Sequence, residues 1–91
     1  MLTIKSHFRL RTIAGENIVV DFGQIGGATT KIISLNESSA FLFQKFVGTL
    51  FTVDDVKTAL IDKYGIVEQD AVRDSAQWVE HMRVATLLSD E

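Results

Sequence analysis

Ninety-one residues, 46% of them hydrophobic, suffice for one small core, and the expectation is a single domain over residues 1–91. Twelve acidic and nine basic residues leave a net charge of −3, with the bases scattered as Lys5, Arg9, Arg11, Lys31, Lys45, Lys57, Lys63, Arg73 and Arg83; without a concentrated positive face to neutralise phosphates, nucleic acid is disfavoured as a partner. The absence of cysteine excludes disulfides, thiolate chemistry and Cys-based metal sites, and the short apolar runs and lack of a signal-peptide core point to a cytoplasmic protein with no membrane span.

Phe8, Leu10 and Thr12 alternate with Arg9 and Arg11, and Ile18, Val20 and Phe22 alternate with Val19 and Asp21. This is the period of half-buried strands, joined here by a turn at Ala14-Gly15-Glu16-Asn17. The glycine-rich stretch Gly23-Gln24-Ile25-Gly26-Gly27-Ala28 has no periodicity and reads as a loop before a third strand at about Thr30 to Leu35. Asn36 then offers an N-cap, and a first helix runs to Val47, stopping at Gly48, with Ala40, Phe43, Phe46 and Val47 on one face. A second helix opens on the capping box Thr52-x-x-Asp55, with Phe51 placed to staple Val56. Val53, Val56, Leu60 and Tyr64 follow before Gly65 supplies a left-handed cap. A third helix, from about Gln69 to Val84, carries Ala71, Ser75, Trp78, Val79 and Met82 at helical spacing.

The residues that could carry chemistry have simpler structural roles. His7 and His81 fall in different elements with no neighbouring ligands to complete a metal set. Ser38 and Ser39 sit where helix-start serines cap, outside any G-x-S-x-G context. Gly23-x-x-Gly26-Gly27 precedes a strand rather than a helix, so it lacks the dipole of a phosphate cradle. Asp54 and Asp55 favour the positive end of a helix. No active site, catalytic residue, metal or cofactor is expected. What remains is a binding surface: a three-stranded sheet leaves open edges, and Thr30 to Leu35 is the best of them, with Lys31 guarding it against promiscuous pairing. Ile32 and Ile33 point to opposite faces, and one could line a groove. The alternative, that both merely face the domain's own helices, stands beside this.

Leu35-Asn36-Glu37-Ser38-Ser39-Ala40-Phe41-Leu42-Phe43 resembles the hallmark segment of the PqqD-like family. Phe8 to Val20 is similar to that family's opening hairpin, and Thr52-Val53-Asp54-Asp55-Val56, Leu60, Lys63-Tyr64-Gly65-Ile66, Asp74, Trp78, Val79, Met82 and Leu87-Leu88 fall where its later helices lie. Phe43 stands where many members have Trp, and Thr86 replaces a Gly usual before the terminal Leu-Leu. The resemblance implies an α+β, winged-helix-like domain: a three-stranded antiparallel sheet followed by three helices. It also implies a non-catalytic peptide chaperone, a RiPP recognition element, which takes the leader of a ribosomally made precursor as an added strand and presents it to a maturing enzyme, often of the radical SAM type. PQQ synthesis is one such pathway. Carried over, the contacts are Lys31, Ile32, Ile33 and Ser34 on the strand and Val72, Arg73, Ala76, Gln77, Glu80 and Arg83 on the third helix. The rival readings are a winged-helix DNA-binding transcriptional regulator and a structural subunit or homodimer that uses the same edge.

Overall fold

The computed structural model describes residues 1–22 and 32–91. The expected loop at Gly23 to Ala28, and Thr30 and Lys31 of the third strand, lie outside these residues.

Phe8–Ile13 and Glu16–Asp21 form an antiparallel hairpin, labelled β2 and β3, and Ile32–Leu35, β4, pairs with β3 to complete a three-stranded sheet in the order β2-β3-β4. Ile13 faces Glu16 across the two-residue turn Ala14-Gly15. Both turn residues have positive φ, 52° and 80°, the combination that matches strand twist in a tight hairpin. The register places Val19 between Leu10 and Ile33. This row packs on the core, and Val19 is fully buried.

Three helices follow: α1, Glu37–Phe46; α2, Val53–Tyr64; and α3, Glu68–Val84. Asn36 accepts from the Ser39 N–H at 2.9 Å, as an N-cap should. Thr52 and Asp55 form the reciprocal capping box, and Gly65 closes α2 at φ 64°. Lys57 bridges α2 to the start of α3, 3.0 Å from Asp54 and 3.4 Å from Glu68. The hydrogen bond that Lys57 donates to Asp54 leads in holding its ammonium above the ordinary lysine range.

The buried face of α3 is the expected one, Ala71, Ser75, Trp78, Val79 and Met82. On the other two helices the stripe differs in detail. Val47 is exposed because α1 has already ended, its φ and ψ of −59° and 133° taking the chain out of the helix, and Leu42 is buried in its stead. Val53 and Tyr64, at the two ends of α2, are largely exposed, and Ala59 fills the inner position.

Two strands were not anticipated. Leu2–Ile4, β1, pairs antiparallel with Leu88–Asp90, β5, in a separate two-stranded sheet. Phe51 joins this sheet through a bridge to Leu2, donating and accepting at 2.9 and 2.7 Å. Its ring, 1% exposed, stacks on Phe46 at 4.8 Å and meets Trp78 at 6.2 Å.

The chain reverses from α3 into β5 at Thr86, which adopts φ 66°. The Leu87 N–H donates to the Met82 carbonyl at 2.9 Å and the Thr86 N–H to the Arg83 carbonyl at 3.0 Å. These are the two bonds of a Schellman motif, with a β-branched residue at the position that favours glycine. Left-handed backbone costs an L-residue about 1–2 kcal/mol, part of which glycine returns through its looser unfolded chain. Thr86→Gly should therefore raise stability by about 0.5–1 kcal/mol and the melting temperature by several degrees, measurable in a thermal melt. A drop in Tm would show that Thr86 makes contacts outweighing its strain.

Candidate binding site

The direction of each outward backbone group on β4 follows from the ladder. Phe22 donates its N–H to the His7 carbonyl at 2.8 Å, which marks Phe22–His7 as a hydrogen-bonded position of the ladder, and by alternation Val20–Arg9 and Ile18–Arg11 are the next such pairs. Asn17 and Val19 then turn their N–H and C=O groups toward β4, where they face Leu35 and Ile33. Ile32 and Ser34 are left with main-chain groups directed away from the sheet. Among the described residues no strand pairs with this edge.

Side chains alternate perpendicular to this. Ile33 and Leu35 pack against the core, while Ile32 is 61% exposed. The two isoleucines thus divide as the period of two requires, one toward the core and one toward solvent.

Beside the edge lies a cleft of about 290 Å³, bounded by Ile33, Ser34 and Leu35 of β4, Asn36 and Ser39 at the start of α1, and His81, Met82 and Ala85 of α3. A second cavity of about 450 Å³ adjoins it and shares Asn36, Ser39 and His81. The buried side chains Leu42, Leu60 and Trp78 supply its apolar lining with Tyr64 and Ile66, and Ser38, Asp74 and Gln77 complete its polar part. Trp78 is 5% exposed, yet its indole Nε1–H has no hydrogen-bond partner among the described residues. A buried donor left unpaired costs about 1–3 kcal/mol.

Of the helix residues expected on the cleft side, Gln77 lines the adjoining second cavity. Val72, Arg73, Ala76, Glu80 and Arg83 line neither cavity. They lie on the solvent-facing arc of α3, where Arg73 pairs with Asp70 and Asp74 at 3.3 and 3.2 Å and Arg83 with Asp90 at 3.2 Å. At about 100° per residue, the two cavities together face the neighbouring arc of Asp74, Gln77, Trp78, His81 and Ala85, on one flank of the buried stripe rather than opposite it. Sequence reasoning passed over His81, which touches both cavities; its place four residues beyond Gln77 was the available signal. Lys31 lies outside the described residues.

His7 lies in another part of the molecule, its Nδ1 2.8 Å from Oδ1 of the buried Asp21. Among the described residues no group of three His, Asp or Glu side chains converges to hold a metal ion, and no helix is long and apolar enough to cross a membrane.

No protein-family model matches the chain, and a search of curated proteins finds no match. Among solved structures, a lasso peptide synthetase B1 complexed with the leader peptide superposes with a TM-score of 0.70 over 98% of both chains, at 19% identity. The two chains share a fold. The likeness runs through the helices and the three-stranded sheet alike, and it is one of backbone architecture, carried by few identical residues.

The alternation of β4 makes the edge testable on the protein alone. Proline lacks an N–H. Ile33→Pro should remove a bond within the sheet and destabilise the fold by about 1–3 kcal/mol, whereas Ile32→Pro and Ser34→Pro should leave the melting temperature much closer to the parent's. Equal losses at all three positions in thermal melts would overturn the assignment of outward groups.

Proposed function

We propose that this protein is a non-catalytic peptide-binding adaptor that receives the leader segment of a ribosomally made precursor as an additional strand on β4. One observation carries this reading: outward main-chain groups at Ile32 and Ser34 border a cleft whose far wall is α3. An extended peptide gains main-chain hydrogen bonds along such an edge and specificity from alternate side chains entering the adjoining cleft. Ile32, Ile33 and Ser34 are the contacts of the initial set on this edge, and Gln77 lines the adjoining cavity. Val72, Arg73, Ala76, Glu80 and Arg83 would meet a peptide, or a partner enzyme, only beyond the cleft.

The shared fold with a protein solved with a leader peptide supports the reading. So does the PqqD-like resemblance of the Leu35 to Phe43 segment, of which Leu35, Asn36 and Ser39 border the cleft. The adaptor would hand its cargo to a modifying enzyme, and a radical SAM maturase is the partner the resemblance implies.

A synthetic leader peptide, taken from a short open reading frame beside the gene, should bind with a micromolar dissociation constant, about −8 kcal/mol. In a ¹H–¹⁵N titration the largest shifts should fall on β4 and on the cleft-facing arc of α3. Ile32→Pro or Ser34→Pro should weaken binding about fivefold, the worth of one ladder bond of about 1 kcal/mol. Shifts confined to the β2–β3 hairpin would remove β4 as the docking edge. Saturable, salt-sensitive binding of duplex DNA in a mobility-shift assay would favour the regulator instead.

A further inference from the structure

A three-stranded sheet has two edges, and the ladder that turns Ile32 and Ser34 outward on β4 turns Phe8, Leu10 and Thr12 outward on β2. The two edges differ in what becomes of those groups. On β2 the Phe8 N–H donates to the Lys5 carbonyl at 3.3 Å. Arg9 donates from Nη1 to the Phe8 carbonyl at 3.4 Å and to the Ser6 carbonyl, and Arg11 donates to the Leu10 carbonyl at 3.2 Å. Arg11 is also held by a ring: its guanidinium carbon lies 5.4 Å from the centroid of Phe22, and a planar guanidinium can stack by its face while it donates from its edge. Neither arginine has a carboxylate partner among the described residues, unlike Arg73 and Arg83. On β4 no side chain among the described residues donates to Ile32 or Ser34.

We propose that Arg9 and Arg11 close the β2 edge to strand addition, so that a second copy of the chain cannot pair there and β4 is left as the accepting edge. An incoming strand needs the Phe8 and Leu10 carbonyls as acceptors, and each must first give up a charge-assisted bond to a guanidinium that lies at that edge. Alternation assigns the two arginines to this task. Their own main-chain groups are spent on β3, in the pairs with Val20 and Ile18, while each side chain covers the outward carbonyl of the residue before it. The closure of β2 is a property of the hairpin; only its consequence, a single edge for the peptide, rests on the peptide-binding reading.

Arg9→Thr/Arg11→Thr keeps strand-forming residues at two exposed positions and removes both sets of donors. Sedimentation velocity of the full-length protein, with no peptide present, should show this double variant forming a dimer at least about tenfold more tightly than the parent. Removing two positive charges from a chain whose net charge is already −3 increases its self-repulsion, so charge alone predicts the opposite. Amide hydrogen exchange in the dimer should slow at Leu10 and Thr12, whose N–H groups face out of the sheet, and not at Ile32 or Ser34. Thr12→Pro, added to the double variant, should reverse the association by removing one of those N–H groups. Should the double variant fail to fold, Arg11→Thr and Phe22→Ala, which frees Arg11 from the ring, should each give a smaller shift in the same direction. A folded variant that sediments as the parent does, or a dimer protected at β4 instead, overturns the proposal. So does a parent whose Leu10 and Thr12 amides gain protection as its concentration rises. Each of these results stands whether or not β4 binds a leader.

Discussion

The small β1–β5 sheet, α1 and α3 meet at Phe51. Its backbone is the bridge by which the β1–β5 sheet is attached to the connection between α1 and α2, and its ring lies between the end of α1 and the indole of α3. A small domain has few places where a single residue can join so many elements, because most of its side chains must also cover surface. The aromatic ring makes this possible by burying a large apolar area while leaving both main-chain groups free to pair. The site depends on this joint at one remove. Trp78, whose ring meets that of Phe51, also lines the cavity.

The cleft is shaped by two incompatible periods. β4 alternates every residue, so its core-facing side chains, Ile33 and Leu35, also form the near wall, while its hydrogen-bonding groups at Ile32 and Ser34 project sideways along the edge. α3 repeats every 3.6 residues, and its wall is the flank of its buried stripe. The start of α1 borders the gap between them, where Asn36, Ser38 and Ser39 add small polar groups. The cations of α3 are turned away from this gap and held by Asp70, Asp74 and Asp90. Apolar packing and main-chain polarity, rather than net charge, define what the surface can hold.

Much of this architecture was legible in the residues. Asn36, the Thr52–Asp55 box and Gly65 punctuate their helices through local hydrogen bonds and backbone preference, which tertiary structure has no reason to override, and they stand where expected. The buried stripe of α3 was legible because seventeen residues give a period room to repeat. β1 and β5 were not, since three residues cannot display a period and their pairing joins opposite ends of the chain. Thr86 concealed the turn into β5 because the left-handed position lacks its usual glycine. The edge strand could be read from its β-branched run. The cleft-facing arc of α3 could not, because periodicity tells which face is buried but not which flank of that face a neighbouring strand leaves uncovered.

The pairing of β1 with β5 has a consequence for motion. It is short, three residues on each side, and it closes a loop that spans almost the whole chain, so its large loss of chain entropy is offset chiefly by the burial of Leu2, Ile4 and Leu88 in the core. The opening of such a clasp is read by amide hydrogen exchange. Its opening loosens the end of α3, which is bonded to it through Leu87 and Met82 and through Asp90 and Arg83, and with that the Met82 to Ala85 wall of the cleft. A ligand that binds only the closed wall must, by mass action, hold the clasp shut as well, lengthening exchange protection at Leu2–Ile4 and Leu88–Asp90, where it touches nothing.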